Sequence, residues 1–375
     1  MPYLDEELAL EGTVERAAPA PVSIRHRIQV AATMLRISQN TLKNYEKESG
    51  IQVPRSETGS VAVREYSPEV LFELAAWRRE RGLTSALPRP VTLAIHNRKG
   101  GVGKTFLAVE LATQWQLMGL RTLIIDADSQ ANTTLQFGYD PEIEEDVDGQ
   151  EGVPYTLANL LKIPPYEKMA QPLDAVLKKP YGPHGPHLIP ADSNISDLEQ
   201  ALISVSARDY RLDHLIRRGR KEPTADLDLR GYDIILIDLP PSITALVMAS
   251  LVASDFWLVP LGLDRFGLKG LGNLIRSLTE FQSAFGRLPE LCLIPNHYNR
   301  NRARSRFFLR SLKQIHGNLL TRVILRESEI VPRKMAASPT PVSLSSPMED
   351  IVKEDLADLA QEILDRLAKL PPKND

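Results

Sequence analysis

The 375-residue sequence predicts an α/β fold, a mostly parallel sheet covered by helices on both faces, with a small, mainly helical domain in front of it. Three observations lead there. From residue 91 onwards, short β-branched runs alternate with longer amphipathic stretches, the rhythm of buried parallel strands and their crossover helices. From Ile24 to Arg81 the pattern is helical and basic, ten Lys/Arg against seven Glu. Between the two lies "GLTSALPRP" (82–90), a linker whose glycine and two prolines interrupt regular structure.

Taken in order, residues 1–23 read as a disordered leader that passes through "AAPAP". In the domain 24–81, Val30, Ala31, Met34 and Leu35 form an apolar helical face. "ISQN" supplies a turn with a cap, and Thr41, Leu42 and Tyr45 begin a second helix. That is the layout of a helix-turn-helix, whose second helix enters a DNA major groove; a small helical oligomerisation domain is the competing reading. The strand-like runs that follow are 91–97, 121–126, 187–190, 233–239, 256–261, 291–295 and 321–325. They fill a second domain, 91–370, before a short tail at 371–375.

The first run leads straight into "NRKGGVGKTF" (97–106), and a helix follows with Leu107, Leu111 and Trp115 on one face and Gly119 as its stop. Strand, glycine turn and helix together make the setting of a phosphate-binding loop. Gly100, Gly101 and Gly103 let backbone N–H groups turn inward around phosphate oxygens, with Val102 and Phe106 in the same nucleotide-contacting stretch. The helix dipole adds to this, Lys104 brings a point charge to the β and γ oxygens, and Thr105 offers a hydroxyl to Mg²⁺. The predicted fold is thus that of a P-loop NTPase. The pattern G-x-x-x-x-G-K-S/T is not met to the letter, because Arg98 stands at its first glycine and a second lysine, Lys99, precedes the others.

Two acidic segments fit the same site. "LIIDADSQANTT" (123–134) carries Asp126 and Asp128 past the end of an apolar run, at the carboxyl edge where α/β sheets hold ligands. A helix cap is the competing reading of Asp126. "DIILIDLPPS" (233–242) delivers Asp238 to the same edge, where it can hold a Mg²⁺-bound water, with Pro240 and Pro241 stiffening the turn behind it.

The string K-G-G-x-G-K-T resembles the deviant Walker A motif of the ParA/MinD family of ATPases, and the likeness extends over about residues 91–370. Segment 123–134 resembles that family's first switch, with Ser129 in place of a proline, and 233–242 its Walker B strand and second switch. The resemblance implies ATP and Mg²⁺ as ligands. It assigns Asp128 to orienting the attacking water, Asp126 to the surroundings of the metal, and Asn296 to the adenine. It also makes Lys99 a signature lysine that reaches the ATP of a second, two-fold related subunit. The order "TLKNYE…PR…REYSPE" in turn resembles a MerR-type winged helix-turn-helix. Gln39, Asn40, Lys43 and Asn44 then become base-reading candidates, with Arg36, Arg55 and Arg64 on phosphates.

The layout resembles the larger partition ParA proteins. It implies an ATP-dependent homodimer that binds DNA without sequence preference, a ParB-type partner that triggers hydrolysis, an operator bound by the N-terminal domain as autorepressor, and a cytoplasmic, nucleoid-associated location. Residues 298–334 carry ten Lys/Arg and two Glu within a chain of net charge −3, and this stretch, Arg302 and Arg306 included, is the expected phosphate-backbone surface. Competing classes find less support. A membrane-positioning relative needs a basic amphipathic C-terminal helix, whereas the last 27 residues hold eight acidic and four basic side chains. The single cysteine, Cys292, rules out a cysteine-held redox cluster and reads as a buried structural residue in a reducing compartment. No apolar stretch reaches the ~18 residues of a membrane span. A repressor that holds ATP only as a structural ligand stays open.

Overall fold

The computed structural model describes residues 24–58, 61–143, 146, 151–286, 288–328, 331, 339–345 and 351–370; the expected leader and tail lie outside them. At the N-terminal end, helices α1 (Ile28–Met34) and α2 (Gln39–Ser49) are followed by an antiparallel hairpin, β1 (Arg55–Thr58) and β2 (Val61–Arg64), and then by α3 (Pro68–Glu80). Ser38 caps α2, its hydroxyl accepting from the Thr41 N–H at 3.0 Å. Ala31, Met34, Leu35 and Leu42 are buried against Leu71, Phe72 and Leu74 of α3. The periodicity that buries this face leaves Gln39, Asn40, Lys43 and Asn44 exposed on the opposite side of α2. Arg55 and Arg64 face each other across the hairpin ends.

From residue 91 six strands form one parallel sheet: β3 (Val91–Ile95), β4 (Thr122–Asp126), β5 (His187–Ile189), β6 (Ile234–Asp238), β7 (Phe256–Gly262) and β8 (Glu290–Asn296). Their order is β5-β4-β6-β3-β7-β8. The helices between and after them are α4 (Lys104–Leu117), α5 (Asn132–Gln136), α6 (Leu157–Leu161), α7 (Leu173–Val176), α8 (Ile195–Ile203), α9 (Arg211–Lys221), α10 (Ala245–Ala253), α11 (Arg265–Phe285), α12 (Ala303–His316) and α13 (Ile351–Leu367). One apolar core gathers side chains of α6, α8, α9, α10 and α12, the other those of α4 and α13. The central strands are therefore buried on both faces, and the sheet-and-helix fold read from the sequence is the one observed. Because β3 lies between β6 and β7, the chain reverses its direction of winding there and opens a crevice at the carboxyl ends of the strands.

The seventh expected strand, 321–325, is a correction. Leu320 and Arg326 make only isolated bridges to Leu293 and Tyr298. Two N–H groups in between, those of Arg322 and Val323, donate instead to the Glu362 carboxylate of α13, at 2.8 and 2.9 Å. A charged acceptor competes well for backbone donors, so the ladder is not formed there.

The N-terminal helices pack on the rest of the chain. Arg79 forms a fork on the Asp233 carboxylate and donates to Gly119 O. Gly119 has φ +91°, and a Cβ on it would press within 2.9 Å of Thr84 and 3.1 Å of Ala75 O, so only glycine fits. A second tie comes from far along the chain. Glu110 of α4, fully buried, accepts from the N–H groups of Val342 (2.5 Å) and Ser343 (2.9 Å) and from the Ser343 hydroxyl. That fixes segment 342–344, and Leu344 inserts into the same core as Ala31, Leu71 and Leu117. Leu344→Ala should therefore cost about 2–5 kcal/mol in urea unfolding. It should also speed amide exchange in α1 and α2, which a surface substitution such as Gln361→Ala leaves alone.

Candidate nucleotide-binding site

Strand β3 brings the chain to the crevice, and the loop 96–103 turns it back into α4. Gly101 and Gly103 take left-handed conformations, φ +69° and +87°. At Gly103, with φ +87°, a Cβ would lie 2.6 Å from Asn296 Nδ2, so a side chain at this position would displace Asn296. Asn296 ends β8, and its Nδ2 donates to Val102 O at 2.9 Å. The last strand thus clamps the loop from across the sheet. The N-terminus of α4 has no side-chain cap, which leaves its first-turn N–H groups to a ligand. Lys104 opens that helix almost fully buried; burial lowers its pKa, while Asp238 and Asp128 oppose the shift.

The acidic end of the site follows from strand register. Asp126 and Asp238 close adjacent strands directly opposite each other. Both are fully buried. Burial, with the Asp238 charge adding to it, pushes Asp126 up to about 7, and burial with a contribution from Asp128 pushes Asp238 up to about 6. Asp126 is steadied by the N–H and hydroxyl of Thr134 (2.9 and 2.8 Å) and by the Asp128 N–H (3.2 Å). Asp238 Oδ2 accepts from the Thr133 hydroxyl at 2.9 Å. Its Oδ1 is buried without a hydrogen-bond partner among the described residues. A hard oxygen acceptor left open beside the Thr105 hydroxyl fits a divalent cation that keeps most of its waters. Among the described residues no cluster of three or more His, Cys, Asp or Glu forms a metal cage.

The remaining expected residues divide. Lys99 sits on the rim, its Nζ 2.5 Å from Asp264 Oδ2 and its N–H bonded to Asn97 Oδ1; Arg98 is exposed. Gly101, Gly103, Phe106 and Asn296 line a cavity of about 510 Å³ that continues to His297 and Leu325–Ser328. Asn296 directs its amide N–H to the loop carbonyl, so the clamp is the task the structure shows for it. Cys292 is buried in β8, its thiol pushed up to about 12 by burial. Of the DNA candidates, Arg36 pairs with Asp358 of α13, Arg64 with Glu46, and Arg302 with Glu327 at 2.9 Å, while Arg306 donates to Arg300 O. Arg333 and Lys334 of the basic stretch lie outside the described residues. Sequence reasoning passed over Thr133 and Thr134, although both stand in the quoted "SQANTT". It also passed over His96, a buried ring held neutral, its pKa pushed down to about 4 by burial and by Lys104.

The stability sign follows from the raised carboxyls. Their folded pKa values exceed the unfolded one, so their contribution is present below about pH 4 and is lost as pH rises towards 6 and 7. Without a cation, the melting temperature should fall across that range. Asp238→Asn should raise it at pH 8 by ~2 °C or more, and should abolish any gain from added Mg²⁺.

An AAA domain family model matches residues 91–288, more than half of the chain. The chain is 30% identical over 250 residues to the chromosome partitioning protein ParA of Caulobacter vibrioides, covering 66% of this chain and 83% of that protein. It is 31% identical over 202 residues to the chromosome-partitioning ATPase Soj of Thermus thermophilus (54% and 66%). An uncharacterized Pseudomonas putida protein is 32% identical over 200 residues, and there the chain spans 65% of the relative's length, just under two thirds. Among solved structures, one described as a partition protein superimposes with a TM-score of 0.58 at 18% identity, over 92% of each chain, which is a likeness of fold. A phosphate-loop fold, the family match and the ParA relative agree: the chain belongs to the AAA domain family, alongside the ParA and Soj partition proteins.

Proposed function

We propose that the protein is a Mg²⁺-dependent ATPase of DNA partition that acts as an ATP-linked dimer. One observation carries this reading: Lys104, Thr105, Asp126, Asp128 and Asp238 meet at the carboxyl end of one sheet, with Lys99 on the rim above them. In it, loop N–H groups and Lys104 cradle the phosphates, Thr105 and Asp238 hold the cation's shell, and Asp128 orients the attacking water. When bound, Mg²⁺ supplies charge neutralisation at the β and γ oxygens. Asp126 stays behind, bonded to Thr134, its pKa raised by burial and further by the charge of Asp238.

Lys99 serves the second subunit's phosphates on this reading, the task of a cationic finger supplied in trans. Its pairing with Asp264 does not oppose that. Both side chains are more than a third exposed, and such pairs contribute little, so the lysine is exchanged cheaply for a phosphate. DNA contact divides between two surfaces: the exposed face of α2 and the hairpin for an operator, as in a winged helix-turn-helix, and the arginines around α12 for any duplex. The pairing of Arg302 with Glu327 and of Arg36 with Asp358 leaves both surfaces less positive than a charge count implies. A ParB-type protein as trigger and an autoregulated operator complete the proposal.

Three variants test it. Lys104→Ala should lose most ATP binding, about tenfold or more in Kd, and unchanged affinity would sink the phosphate-loop assignment. Lys99→Ala should keep monomer binding while ATP-dependent dimerisation by light scattering, turnover and non-specific DNA binding fail together; a dimer of normal stability refutes the trans role. Charge reversal at Arg302 and Arg306 should abolish binding to arbitrary duplex and spare binding to the operator. ATP turnover that never responds to DNA or partner would instead favour a repressor with ATP as a structural ligand.

A further inference from the structure

The loop 239–244, which leaves β6 at Asp238, is fastened at both ends. At its start, neutral His96 places Nδ1 3.1 Å from Pro240 O, in position to donate. At its end the Thr244 hydroxyl accepts from Val247 N–H at 3.2 Å, as the cap of α10, and donates to Glu199 Oε1 at 2.5 Å. Between the two fastenings Pro241, Ser242 and Ile243 are exposed. Glu199 belongs to α8, which follows β5. In the strand order β5-β4-β6, α8 therefore reaches past the loop of β4, which bears Asp128, to hold the loop of β6. Asp128 is close enough to act on it: burial raises the Glu199 pKa and the Asp128 charge adds to the rise, against the Thr244 bond. Nothing in the catalytic assignment above uses Glu199.

We propose that Glu199 is a positioning residue for hydrolysis, fixing through the Thr244 hydroxyl the far end of loop 239–244 beside the loop that carries Asp128. The inference rests on the ATPase reading for its reaction, and on geometry alone for the fastening. A capped helix end needs only Thr244, so a side chain that restrains the cap from another helix has a different consequence. It ties the loop that follows Asp238 to α8, a helix that enters from beyond the loop of Asp128. Loss of that tie leaves the phosphate cradle of Lys104 and the glycines untouched. It therefore separates turnover from affinity.

The experiment uses the full chain with Mg-ATP. Glu199→Ala and Thr244→Val should each lower kcat about tenfold while KM stays within about twofold, since binding contacts are intact. The double variant should be no slower than either single one, the signature of one shared interaction. Thr244→Ser, which restores the hydroxyl, and Glu199→Gln, whose amide oxygen still accepts, should both recover most of kcat. Unchanged kcat in Glu199→Ala, or losses that multiply in the double variant, overturn the proposal. A readout without nucleotide separates it from the ATPase reading: Glu199→Ala should speed amide exchange in 241–247 about tenfold and leave β4 protected. If wild type fails to turn over ATP, the ATPase reading falls, and unaltered exchange in 241–247 then removes the fastening as well.

Discussion

Two carboxyl groups, Asp126 and Asp238, are buried side by side because the register of β4 on β6 allows no other arrangement, and much of the site answers to that juxtaposition. Like charges at adjacent strand ends in a water-poor crevice repel, and the protein meets this with hydroxyls and cations placed around them. Thr134 bonds one carboxyl twice, Thr133 the other once, and Lys104 is drawn inward to face them despite its own cost of burial. The arrangement remains incompletely neutralised in the single chain. A divalent cation bound beside Asp238 would offset what remains, so relief of this repulsion would be one part of the energy of cation binding.

The second constraint is mechanical. The phosphate loop is stiffened from within by Asn97, which accepts from Lys99 N–H and donates to Pro260 O, and from outside by Asn296, which holds Val102 O from the end of β8 and occupies the space a Gly103 side chain would need. Lys99 is treated in the opposite way. It rests on a partly exposed carboxylate at the edge of the same crevice, a contact easily traded. Rigid cradle and releasable lysine are what a site requires if phosphate contacts are permanent and the contact across subunits is conditional.

Much of this was legible in the sequence because it is local. The glycines, Lys104 and Thr105 lie in one short string. Asp126 and Asp238 each end an uninterrupted apolar run, which reads as a buried strand whatever its neighbours. What escaped was set by residues distant in sequence. Run 321–325 has strand composition, but Glu362 takes two of its backbone donors. Asn296 is expected at the adenine, and its hold on Val102 O emerges only when β8 is placed two strands from β3. Arg36 looks like a free cation on a DNA-facing turn until α13 supplies Asp358. Periodicity reports which face is apolar; it says nothing of which chain segment will cover it.

The route by which Leu344 enters the N-terminal core bears on the order in which a nascent chain can fold. The helices at 28–80 are made before the residues that complete their core, Leu117 of the P-loop helix and Leu344 more than two hundred residues further on. Glu110 cannot receive its three donors before then either. During synthesis the early helices are a partial module with an open apolar face. The N-terminal helices therefore become finished structure only once the chain has been made through the phosphate loop and on to segment 342–344.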